Sequence, residues 1–198
     1  MKRVRTCLLM GALCGAGASA CAFTATIKQG SKALYLQVGT GTMSGTNTTV
    51  NLVSATLSMA DVTSGSAVTM TSDSPITTSP YDGWSFCNVP QQVYVGGFNR
   101  YKNKHGSSAS LSVSAPSALT NAAGDTISFG TISWTVSGNG DTVNAFPDGS
   151  FTPGGTVFLY TMPANQWAEG CMAFSYSNAS VVGAGTYIGR VTYTLTVP

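Results

Sequence analysis

The sequence predicts an all-β protein, a sandwich or a barrel, and three observations carry that prediction. No window of ten or more residues has the apolar spacing of a helix. Short alternating runs recur between Gly, Pro, Asn, Asp and Ser. The last run, over 186–197, alternates almost without a break: Tyr187, Val191, Tyr193, Leu195 and Val197 share one face, and Thr186, Arg190, Thr192, Thr194 and Thr196 share the other.

Taken in order, residues 1–22 have the layout of a secretory signal peptide. Lys2, Arg3 and Arg5 precede a mostly apolar stretch from Cys7 to Ala20 and a cluster of small residues, and the stretch is too short to span a membrane. Cleavage after Ala22 reads Ala20-Cys21-Ala22 and leaves residues 23–198 as one domain; cleavage after Ala20 and a lipid-modified Cys21 are the competing readings. Loss of the three signal cations leaves six Lys or Arg against seven Asp or Glu. So nearly neutral a chain offers no electrostatic case for nucleic acid or an anionic membrane, and no later segment is predicted to cross one.

Phe23, Ala25 and Ile27 alternate with Thr24, Thr26 and Lys28, and Leu34, Leu36 and Val38 follow the same rule. Residues 39–47 read as a loop. Val53, Ala55, Leu57 and Met59 form a further apolar face, and Val68 with Met70 a short one. Residues 84–95 are expected to hold one strand around Cys87 and another at 91–95. Residues 96–108, with Arg100, Lys102, Lys104 and His105, read as an exposed loop. Strand character returns at Leu111 and Val113, over 127–136, over 156–162 and over 171–176. Gly138-Asn139-Gly140-Asp141 marks turns between them.

Cys87 and Cys171 are the pair certain to remain after signal removal, and in an oxidising compartment they are expected to form one disulfide. It would close a loop of about 85 residues, for which chain entropy gives roughly 4–5 kcal/mol.

The residues offer little catalytic chemistry. His105 is the only histidine and sits in the cationic run Lys102-Asn103-Lys104-His105-Gly106 without a local carboxylate to orient it. Glu169 is the only glutamate, and Asp141 and Asp148 stand beside glycines, as turn aspartates do. Asn139-Gly140-Asp141 does not continue into a calcium loop, and one histidine with a cysteine pair makes a poor zinc set. The chain is therefore expected to be no enzyme, with no metal and no cofactor. Trp84, Arg100 and Tyr101, near other aromatics, are the candidates for a ligand-binding loop. Asn47-Thr48-Thr49 and Asn178-Ala179-Ser180 match the glycosylation pattern.

Gly185-Thr186-Tyr187-Ile188-Gly189-Arg190-Val191-Thr192-Tyr193, with the export signal and the scarcity of charge, resembles the closing motif of chaperone-usher fimbrial subunits, the building blocks of bacterial surface pili. The resemblance is strongest over that closing segment. It implies an immunoglobulin-like sandwich that lacks one strand, filled first by a periplasmic chaperone and then by a neighbouring subunit's N-terminal segment at an outer-membrane usher. On this chain it implies Phe23, Ala25 and Ile27 as the donor strand. Tyr187, Val191, Tyr193 and Leu195 would line the acceptor groove. The product would be exported through the periplasm to the cell surface as a homopolymer or a minor pilus component that contributes to adhesion. The contrasting expectation is a self-contained secreted sandwich that binds carbohydrate or a cell surface through its aromatic loops.

Overall fold

A computed structural model describes residues 32–41, 50–101, 106–141 and 146–197. The signal segment, Phe23, Ala25, Ile27 and His105 lie outside them. In chain order the strands are β1 (Lys32–Val38), β2 (Val53–Ser54), β3 (Val68–Thr69), β4 (Thr71–Ser72), β5 (Gln92–Tyr101), β6 (Ala109–Ser114) and β7 (Ala118–Thr120). They continue with β8 (Thr126–Ser128), β9 (Ile132–Ser137), β10 (Gly149–Ser150), β11 (Thr156–Met162), β12 (Trp167–Tyr176) and β13 (Thr192–Thr196). One short α-helix, α1 (Met59–Ser64), and a 3-10 turn over Phe129–Thr131 interrupt them.

The fold is an all-β sandwich. The larger antiparallel sheet runs β1-β5-β12-β9-β10, with β3 beside the end of β12, and the smaller runs β11-β6-β13. Strand alternation turns Val93 and Val95 of β5, Met172 and Phe174 of β12, and Trp134 of β9 toward Leu111 and Val113 of β6 and Leu159 and Met162 of β11, all of them buried. Among the described residues no helix is long and apolar enough to cross a membrane.

Four local expectations give way. The loop predicted over 96–108 is strand as far as Tyr101, because β5 pairs with β1 out to Lys32↔Tyr101 and with β12 out to Trp167↔Phe98. Gly96 and Gly97 are therefore strand glycines. A Cβ on Gly96 would lie 2.0 Å from the Tyr94 hydroxyl, and one on Gly97 2.9 Å from the Tyr35 carbonyl oxygen. Arg100 and Tyr101 consequently stand on a strand and not in a basic loop.

Met59, read as part of a strand, opens α1. Ser58 and Asp61 form a capping box, and Gly65 closes the helix at φ +62°. No residue of this helix is buried, so it has no apolar stripe to read. Residues 84–91 hold no named strand around Cys87. They belong to a loop that crosses the outer face of the larger sheet.

Lastly, the terminal strand is shorter than its alternation. Ile188 bridges to Thr120, and Gly189 sits so near Phe129 and Leu119 that a Cβ there would lie 2.4 Å from the Phe129 ring. Residues 187–189 thus lean on β7, and pairing with β6 starts at Thr192. Tyr187 is outside the strand, and its hydroxyl donates to the Gly183 carbonyl at 2.8 Å.

Candidate functional site

The feature that stands apart is a seam between two strands. Among the described residues β1 pairs only with β5 and β13 only with β6, so each ends its sheet there. They lie near each other without forming a ladder. Leu34, Leu36 and Val38 on one side, and Val191, Tyr193, Leu195 and Val197 on the other, pack against the core yet are each only half-buried. Thr192, Thr194 and Thr196 point outward and are exposed. A strand edge with free N–H and C=O groups beside an apolar floor is a template for another strand.

The seam has a direction. Leu195 Cδ2 lies near Gly97, which pairs with Leu36, whereas the Tyr193 hydroxyl donates to Met172 Sδ at 3.4 Å, and Met172 pairs with Val93, beyond Val38↔Val95. Following β13 forward is therefore following β1 backward. Tyr193 spans the floor, and burial pushes its hydroxyl pKa up.

A second, closed region lies on the opposite face of the larger sheet. The disulfide Cys87–Cys171, with Cα atoms 5.5 Å apart, joins the crossing loop to β12 as the cysteine pair predicted. Phe86 and Tyr94 pack beside it. Asn139 adds a clasp by donating to the Phe86 carbonyl and, at 2.9 Å, to Gln92 Oε1. Under this cover Glu169 is 1% exposed. Its carboxylate accepts from Ser79 Oγ at 2.8 Å and from the Tyr94 hydroxyl at 2.7 Å. Burial first, and then the Glu169 charge, push the Tyr94 pKa up.

Asp82, Asp141 and Glu169 each bring one oxygen within 4.8 Å of the others, and among the described residues they are the set whose spacing could hold a cation. They border a cavity of about 490 Å³ walled by Tyr81 stacked on Trp167 at 4.8 Å, with Tyr160 and Asn165. Nothing local in the chain signals this meeting, since Asp82 and Glu169 are far apart in sequence and join only where the cover folds over β12. Asp148, the other carboxylate considered, instead accepts from the Val136 N–H at 2.7 Å.

Trp84 is exposed on the crossing loop, while Arg100 and Tyr101 end β5 and are half-buried. Tyr101 N donates to Asn165 Oδ1 at 2.9 Å. Of these three predicted ligand residues, none borders the cavity. Asn178 is buried and donates to the Asp61 and Ser66 carbonyls, which makes it a poor glycan acceptor. Val191, Tyr193 and Leu195 do share the seam, whereas Tyr187 does not join them. Comparison of the chain with protein-family models, curated proteins and solved structures found no match.

Proposed function

We propose that this chain is a structural subunit of a bacterial surface fimbria, completed by a strand from another polypeptide. The observation that carries the reading is the half-buried apolar row on each side of the unpaired seam between β1 and β13. An immunoglobulin-type sandwich has sheets A-B-E-D and C-F-G. Among the described residues the orders β1-β5-β12-β9-β10 and β11-β6-β13 support a comparison in which β10 and β11 are additions and no strand follows β13 in its sheet, as the resemblance in the closing segment implies.

Residues 23–27 supply the matching half. Phe23, Ala25 and Ile27 present three apolar side chains at a spacing of two, and covering Phe23 and Ile27 alone is worth roughly 3–6 kcal/mol. Backbone bonds to β13 hold the strand, and the alternating side chains select it. Before a neighbour arrives, a periplasmic chaperone would fill the seam, and an outer-membrane usher would exchange it.

The reading is tested by stability in isolation. Expressed in a periplasm without its chaperone, the chain should aggregate or be degraded, and a synthetic peptide of residues 23–31 should restore a soluble fold. A monodisperse, cooperatively folding monomer without the peptide would sink it. Ile27→Asp should block assembly while leaving export intact, because a carboxylate would enter an apolar floor.

A further inference from the structure

The floor of the seam carries a polar side chain whose bonding is incomplete. Val93, Val95, Gly97 and Asn99 share the face of β5 that meets the core, and Asn99, opposite Leu34, is 0% exposed. A Cβ on Gly97 would lie 3.5 Å from Leu195 Cδ2. Asn99, two residues further along β5, therefore falls at the level of Val197, where the seam ends. Its Nδ2 donates to the Ser107 carbonyl at 2.9 Å and to the Met162 carbonyl at 3.2 Å. Because both partners are acceptors, they settle which end of the amide is nitrogen. Oδ1, the other end, is buried and has no hydrogen-bond partner among the described residues.

An acceptor left unmet in the interior is costly, because it has lost water and gained nothing in return. Met162 ends β11 and Ser107 leads into β6, so the N–H end of the amide is turned toward those strands and the oxygen away from them, to the side of the floor where β1 lies. The atom that lacks a partner thus stands beside the gap that lacks a strand.

The segment proposed above to fill that gap supplies what is missing. The face that carries Phe23, Ala25 and Ile27 continues at the same spacing of two to Gln29, whose Nε2 is a donor on an otherwise apolar row. With Gln29 over Asn99, Ile27 lies over Gly97, Ala25 over Val95 and Phe23 over Val93, so the three apolar side chains stay on the apolar floor. A slip that brings Ile27 over Asn99 leaves the oxygen unmet beneath a hydrocarbon side chain.

We infer that Asn99 selects the strand that enters the seam and fixes its register, by accepting a hydrogen bond from the Gln29 side chain of a second copy at Oδ1; this rests on the strand-exchange reading above. A single polar pair inside an apolar contact gives up affinity and gains one register, as a buried Asn does between paired helices.

The test measures binding of peptides of residues 23–31 to the full chain. To the unaltered chain, peptides with Gln29→Leu or the isosteric Gln29→Glu, whose carboxylate has no donor, should each bind about tenfold or more weakly than the unaltered peptide. To the chain with Asn99→Leu, the peptide with Gln29→Leu should bind at least as well as the unaltered one, since an apolar pair then replaces the polar one. Should Asn99→Leu fail to fold, an isotope label at Gln29 of the peptide decides the question on the unaltered chain: its side-chain amide protons should be protected from solvent exchange in the complex. Equal affinities of the three peptides for the unaltered chain, an undiminished preference for Gln29 after Asn99→Leu, or amide exchange at the free-peptide rate overturns this role of Asn99 and leaves strand exchange standing. Failure of the unaltered chain to bind the unaltered peptide overturns strand exchange, and this inference with it.

Discussion

Two apolar regions of this molecule meet the outside in opposite ways. On the outer face of the larger sheet, the loop that carries Phe86 and Cys87 closes over Tyr94, Glu169 and Cys171 and is bonded there covalently. Between β1 and β13 the main core reaches the surface through seven half-buried side chains, and no strand among the described residues pairs across the gap. Both regions are built from alternating strands. They differ in whether the described chain returns to cover them, which separates a region sealed by its own loop from one left open to the strand proposed above.

The largest effect expected on this contrast comes from the disulfide. Replacing both Cys87 and Cys171 with Ser should cost about 4–5 kcal/mol, read from the denaturant midpoint, with affinity for the peptide of residues 23–31 unchanged. A loss below about 1 kcal/mol would mean that burial alone seals the cover.

A pair of truncations compares the seam with the closed interior. Leu111 and Leu195 are directly paired across β6 and β13, yet Leu111 is 0% exposed and Leu195 is half-buried. In the chain folded on a peptide of residues 23–31 that carries Ile27→Ala and so leaves part of the floor uncovered, Leu111→Ala should cost about 3 kcal/mol and Leu195→Ala about 1 kcal/mol. With the unaltered peptide the second cost should rise toward the first. Equal costs with both peptides would erase the distinction between seam and core.

The smallest effect is alkaline. Tyr94 has a raised pKa in the folded state, so its contribution is intact below the ordinary tyrosine value of about 10 and is lost as pH climbs above it. Tyr94→Phe should flatten the alkaline decline in stability by at most about 1.4 kcal/mol per pH unit, measured by denaturation across that range. Tyr193 titrates with the same sign from the seam. A peptide that covers the seam should therefore deepen the Tyr193 component and leave that of Tyr94 alone.

Much of the fold was legible because strand alternation is local. Leu34–Val38, Leu111 with Val113, the run over 156–162 and the end of β12 all lie on named strands. Apart from α1, which a local capping box starts, the errors share one cause, in that a distant neighbour decided the outcome. Gly96 and Gly97 looked like turn residues until β1 and β12 closed on them, and Gly189 ended the terminal strand early because Phe129 and Leu119 take its side-chain space. The seam was half-legible: Tyr193 and Leu195 were readable from their period, whereas Tyr187 obeys the same period and is turned away by the bridge to β7.

By itself, then, the sequence determined the class of fold, the disulfide between Cys87 and Cys171 and which side chains seek cover, since period, composition and cysteine placement act along the chain. Tertiary structure alone decided that, among the described residues, β1 and β13 would both end their sheets and that Asp82 and Asp141 would meet Glu169. Strand alternation states that a face must be buried but not against what, and that choice is made only when sheets pack and edges are left over.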